Sequence, residues 1–168
     1  KELEEELKKR EQEIERAREQ LRQIIDLIPD PLFVRNLDDE VLLSNEANAE
    51  LHGMTPEEIE SKRERDIESE VENIENFDKY RQREIEVIET GEPMTVEEEL
   101  RDPDGETHVF KMTRIPFRTT GTDEDAVLGY ARDVTDIKEY EKELEETKRT
   151  LEKSNEKLDQ FAGVVSHD

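Results

Sequence analysis

Cysteine and tryptophan are both absent from the chain. The first absence removes disulfides, thiolate metal sites, cysteine nucleophiles and photochemical cysteinyl adducts together. Aromatic residues make up 5% and hydrophobic residues 31%, against 44% charged, so a packed core can occupy only part of the 168 residues and solvated helix must account for much of the rest. Basic residues are scarce as well: 25 Lys and Arg stand against 49 Asp and Glu, a net charge of −24. That field repels nucleic acid and anionic lipid, and no Lys/Arg cluster is dense enough to overcome it locally, which argues against nucleic-acid binding and direct membrane contact. The acidity suits either a plain solvated surface or adaptation to high salt, where screening relieves repulsion among carboxylates. No apolar run approaches the roughly 20 residues of a membrane-spanning helix and no signal peptide is present, so a cytoplasmic location is expected. The length suits one ordinary domain with helical extensions. Because the chain starts at Lys1 and stops at Asp168 inside a motif, it is expected to be a piece of a longer protein, whose other parts could include membrane spans.

What the chain does have is periodicity. Leu3, Leu7, Ile14, Ala17, Leu21, Ile24 and Ile28 recur at steps of three and four, with Arg10 the one polar interruption. A stripe this narrow, flanked by charge, predicts a coiled-coil helix over residues 1–28 rather than a helix lying on its own domain. Pro29 and Pro31 end it, since proline cannot donate to the helical ladder. The spacing returns in Ile137, Tyr140, Leu144, Thr147, Leu151, Ser154, Leu158, Phe161 and Val165. Asp136 is expected to cap this second helix, with Glu139 three residues on completing a box-like start. Polar or aromatic residues alternate with aliphatic ones along the seam, giving a coil weak enough to move.

Between the helices the pattern shortens to strands and turns. Residues 31–37 and 41–44 read as a hairpin about Asp38 and Asp39, and residues 45–52 as a short helix broken at Gly53. Thr55, Pro56, Glu57 and Glu58 signal another helix start. Residues 62–75 are mostly charged and suggest a surface helix or mobile segment. Phe77, Tyr80, Ile85 and Ile88 support a longer amphipathic helix closed by Gly91 and Pro93. Residues 94–101 and 107–119 pair across Asp102-Pro103-Asp104-Gly105, and residues 126–134 form a last strand. Two strands, helices, then three strands predict an α+β fold: a five-stranded antiparallel sheet with helices on one face, able to enclose a small cavity.

The run Asn45-Glu46-Ala47-Asn48-Ala49-Glu50-Leu51-His52-Gly53-Met54-Thr55-Pro56-Glu57-Glu58-Ile59 resembles the early helical part of PAS (sensory box) domains. Asp102 to Gly105 matches the hairpin near the end of that fold, and Asp133-Val134-Thr135 resembles the Asp-x-Thr at its exit. Phe161-Ala162-Gly163-Val164-Val165-Ser166-His167-Asp168 is similar to the opening of the phospho-acceptor motif of two-component histidine kinases. The resemblance covers about residues 20–137 for PAS and the last eight for the kinase. It implies an N-terminal coiled coil (1–28), a PAS sensor domain (29–135), an output coiled coil (136–160) and the start of the phospho-acceptor domain (161–168). It further implies a parallel homodimer, a response regulator as partner of the parent kinase, and ATP binding only in a kinase domain outside this chain.

Under that resemblance His167 is the phospho-acceptor, since a neutral imidazole nitrogen is the nucleophile required, and Asp168 is the carboxylate that orients the ring and takes its proton. The chain has no phosphate-cradling glycine loop, so alone it should not transfer phosphate. Asp133 and Thr135 can bond backbone groups or a basic side chain across the sheet, either as a plain helix cap or as a latch that transmits strain. Phe33, Leu51, Ile85, Phe110, Met112, Leu128 and Tyr130 are candidates to line a pocket for a non-covalent ligand, although ordinary core packing would use the same residues. No cofactor is identifiable: His52 and His108 are the only histidines within the core, and neither has a second haem ligand in view. A purely structural dimerisation module is the alternative, while a carboxylate-based enzyme fits poorly because the acids fall on heptad flanks and loops.

Overall fold

The computed structural model describes residues 1–60, 62, 63, 66 and 74–166, with the side chains of 74–76 and 164–166 excepted. It divides into two units, residues 1–133 and 134–168.

The first unit opens with α1 (Glu2–Leu27), whose chain leaves the helix at Ile28 in extended geometry, as the two following prolines require. Strands β1 (Leu32–Asn36) and β2 (Val41–Ser44) form the expected hairpin, with Asp39 at a φ of 69° in the turn. Helix α2 (Glu46–Leu51) is capped by Asn45 and α3 (Pro56–Ile59) by Thr55, whose side chains accept from the backbone N–H groups of Asn48 and Glu58. The charged stretch 62–75 lies largely outside the described residues. Helix α4 (Ile74–Thr90) follows, and then β3 (Met94–Arg101), β4 (Thr107–Arg118) and β5 (Asp125–Asp133).

All strand pairs are antiparallel, in the order β2-β1-β5-β4-β3. The expected α+β fold is therefore found, with β5 inserted between the two hairpins at the centre of the sheet. Phe33, Phe110, Met112 and Ala131 form one buried cluster on the inner face, joined by Leu51 of α2 and Leu100 of β3. Val41, Ala49 and Ile59 form a second, which seats α2 and α3 against β2. Helix α4 crosses β4 and β5, burying Phe77 and Val87. Since successive strand residues face opposite sides, the pairings Phe33 with Gly129 and Met112 with Ala131 set the parity of the whole sheet.

The apolar stripe of α1 does not turn onto this core: Leu3, Leu7, Ile14, Leu21 and Ile24 all stay more than half exposed, and only Ile25 is buried. The second unit is the single helix α5 (Thr135–Ser166). Its cap lies two residues earlier than the pattern suggested. The Lys138 N–H donates to the Val134 carbonyl at 2.9 Å, so Asp136 lies inside the first turn, where it favours the helix dipole, instead of capping it. Ile137, Tyr140, Leu144, Leu151, Leu158 and Phe161 are likewise exposed along α5.

Candidate functional site

Arginine in a half-apolar strand is costly to bury unless a carboxylate meets it. Arg35 of β1 and Arg114 of β4 share the inner face with Phe33 and Met112, and both are met. Arg35 donates to Glu84 of α4, and Arg81, one turn earlier on that helix, donates to the second Glu84 oxygen at 3.1 Å. Arg114 forks onto Glu98 of β3, with Nη2 donating to Oε2 at 3.2 Å, while Arg83 of α4 donates to Glu98 Oε1 at 2.8 Å. Glu84 is 0% and Arg114 2% exposed, so these charges act in a low-dielectric setting. Arg114 Nε, 4.0 Å from Glu84 Oε1, is buried without a hydrogen bond among the described residues.

The network walls a cavity of about 40 Å³ whose lining includes Phe33, Arg35, Leu51, His52, Met112 and Arg114. That volume admits a few water molecules. His52, at the end of α2, has its pKa pushed down to about 4, first by burial of the ring and then by the nearby Arg35 charge.

Of the pocket candidates, Phe33, Leu51 and Met112 reach this cavity and Phe110 packs beside it in the core cluster. Ile85 is half-buried on α4. Leu128 and Tyr130 do not join them: Gly129 faces Phe33, so their odd-step positions put them on the opposite face of the sheet, where Tyr130 is 39% exposed.

A second constellation sits where the β3–β4 turn meets the end of β5. In β4 His108 lies two residues from Phe110, which pairs with Asp133, so His108 and Asp133 are diagonal neighbours on one face. His108 Nδ1 lies 3.0 Å from Asp133 Oδ2, and Nε2 lies 2.8 Å from Asp102 Oδ2. Asp102 is fixed by the turn it opens: its Oδ1 accepts from the Glu106 N–H at 2.9 Å and its own N–H donates to the Glu106 carbonyl at 2.9 Å. The His108 pKa is raised, chiefly by the bond to Asp102 and against a smaller opposing effect of burial, with Asp133 adding to the rise. The Asp102 pKa is lowered, chiefly by the same bond. Asp133 thus has a basic partner across the sheet, at the last residue of β5, and Thr135 opens α5 two residues on. His167 and Asp168 lie outside the described residues.

Arg35, Glu84, Glu98 and Arg114 escaped the sequence reading. Their signal was parity: Phe110, Met112 and Arg114 alternate on one face of β4, which marks the arginine as buried and therefore paired.

A five-stranded antiparallel sheet holding short helices over a small, partly charged cavity, with a helix leaving the last strand, defines a compact sensory-type α+β domain. Residues 29–136 match the PAS domain family over well more than half of the chain, and the chain belongs to that family. The aerobic respiration control sensor protein ArcB of Escherichia coli K12 is 27% identical over 151 residues, covering 88% of this chain and 18% of that protein. The chain therefore spans about a fifth of the length of the curated relatives it matches. Among solved structures, the PAS domain of BvgS from Bordetella pertussis superposes with a TM-score of 0.56 at 21% identity, covering 80% of this chain and 98% of that one. VqmA of Vibrio cholerae gives 0.60 at 22% identity over 71% of this chain and 52% of that one. The PAS domain of an HTR-like protein from Haloarcula marismortui gives 0.51 at 18% identity, covering 75% and 98%. These share the fold.

Proposed function

We propose that the chain is the signal-transmitting PAS module of a cytoplasmic sensor histidine kinase, working as a parallel homodimer whose α5 helices relay a change in the sheet toward His167. The observation that carries this reading is the exposed apolar seam of α5: Ile137, Tyr140, Leu144, Leu151, Leu158 and Phe161 are each at least half exposed in one chain, an arrangement that is stable in water when a second copy covers it. The matching seam on α1 and the similarity to a sensor protein along 88% of the chain support it. In the parent protein His167 would accept the phosphoryl group with Asp168 as its acid/base neighbour, and a response regulator would receive it. Asp133 and Thr135 would serve as the latch at the exit. A difference of about 1–3 kcal/mol between two coil arrangements is enough to set the balance. Leu144→Glu and Leu151→Glu together should convert the dimer to a monomer in light scattering, and an unchanged mass would refute the pairing.

One observation favours a second reading, in which the core takes no organic ligand and only sets helix spacing. The ion pairs leave about 40 Å³, far below the ~300 Å³ at which small-molecule pockets begin. Native mass spectrometry decides between them: a retained small molecule supports ligand sensing, and a bare dimer supports the structural module.

A further inference from the structure

We propose that Asp102, Glu106 and His108 form a binding site for a divalent transition-metal ion at the β3–β4 turn, with Asp133 as the carboxylate behind the histidine. The three ligand atoms lie within 4.8 Å of one another. A tetrahedral zinc ion, with bonds of about 2.0–2.2 Å to nitrogen and oxygen, needs ligand atoms roughly 3.4 Å apart. His108 and Asp102 need only open slightly from 2.8 Å, and the exposed Glu106 side chain is free to swing inward.

The roles of the atoms are already divided. Asp102 uses Oδ1 to hold the turn, through the Glu106 N–H, and turns Oδ2 toward His108. His108 Nε2 holds that oxygen through its proton, which an entering ion displaces to solvent, while Nδ1 lies on Asp133 Oδ2 at 3.0 Å. A metal-bound imidazole donates its other N–H to a carboxylate in most sites, which fixes the tautomer and aims the lone pair. Asp133 stands in that position, and it comes from a different strand from all three ligands. The charge also favours a cation, since three carboxylates converge on a single imidazole. One nitrogen and two oxygens suit zinc and its neighbours; calcium and magnesium prefer all-oxygen shells. Three protein ligands leave a fourth position for water or a ligand carried in by the ion.

In its effect on signalling the site rests on the transmitting role proposed above, because an ion would tie the turn, through His108, to the last residue of β5. The binding itself does not. Calorimetric titration of the chain with Zn²⁺, in millimolar Mg²⁺ to occupy the acidic surface, should give one site per chain. His108→Gln should abolish it, Glu106→Gln should weaken it about tenfold, and Asp133→Asn should weaken it 10- to 100-fold while shifting the His108 ring tautomer seen in ¹⁵N spectra. Glu106 is exposed and the turn bonds use its backbone, so Glu106→Gln remains informative even if His108→Gln fails to fold. Equal affinity and stoichiometry in the wild type and Glu106→Gln, with no Zn²⁺-induced change at the His108 ring, would overturn the site and leave only adventitious binding to surface carboxylates. Dimer mass is read separately, so failure of the ion site and failure of the coiled-coil reading are distinguishable.

Discussion

Gly129 sits opposite Phe33 in the β1–β5 pairing, and the far end of the phenyl ring, Cζ foremost, occupies the space a Cβ would fill. The backbone there has no need of glycine's freedom; the demand is for room. Gly129→Ala should therefore cost about 1–3 kcal/mol in thermal unfolding, and adding Phe33→Leu should recover part of that loss. Arg35 stacks over the same ring, its guanidinium 4.6 Å from the Phe33 ring centre, so displacing the ring also disturbs the buried ion pair with Glu84. His52 reports on the same region through pH. Its folded pKa of about 4 is below the ordinary 6.5, so the unfolded chain binds a proton that the folded chain refuses between those values. Stability contributed by the neutral ring is complete above about pH 6.5 and is lost as pH falls toward 4. Part of the residue reaches solvent, which brings the expected loss to about 2 kcal/mol. Urea melts of the wild type and His52→Gln across that range should converge as pH falls; parallel curves would contradict the assignment.

The junction of α1 with the core centres on Asn45. Asn45 caps α2 with Oδ1, which also accepts from the Leu32 N–H at 2.9 Å, while its Nδ2 donates to the carbonyls of Ile25, Ile28 and Asp30 at 3.1, 3.3 and 2.9 Å. The Ile25 carbonyl in the last turn of α1 and two carbonyls just past the helix are thereby met, and Arg22 adds a bond to the Ser44 carbonyl at 2.7 Å. Asn45→Asp keeps the acceptor but points a carboxylate at three carbonyl oxygens. It should cost about 2–3 kcal/mol by chemical denaturation and raise amide exchange in the last turn of α1, whereas a cap role alone would cost about 1 kcal/mol. The sequence marked Asn45 as the start of a helix, and nothing local told of the three carbonyls, which belong to residues 15 to 20 positions earlier. The β3–β4 turn was legible in full, because Asp102-Pro103-Asp104-Gly105 carries its own geometry, with Gly105 at a φ of 85°. Leu128 and Tyr130, candidates to line the pocket, fall on the face away from Phe33 for the opposite reason: composition identifies an apolar strand, but which alternate residue faces inward depends on register with β1.

For the molecule as a whole, a charge of −24 on 168 residues predicts strong salt dependence. Raising NaCl from 0.1 to 2 M shortens the screening length from about 10 Å to about 2 Å, which relieves repulsion among surface carboxylates while leaving the buried Arg35–Glu84 and Arg114–Glu98 pairs nearly unscreened. The melting temperature should rise by several degrees over that range in calorimetry, and a flat or falling profile would count against salt adaptation. Both helical seams and the run of five strands follow from spacing along the chain, since steps of three and four or of two are properties of neighbours. The pairing of distant charges does not. Arg35 finds Glu84 49 residues away, and His108 finds Asp133 25 residues away, only because β5 slots between β1 and β4. Periodicity is written locally, residue by residue; which buried charge meets which is a consequence of strand order, and that order emerges when the sheet closes around its core.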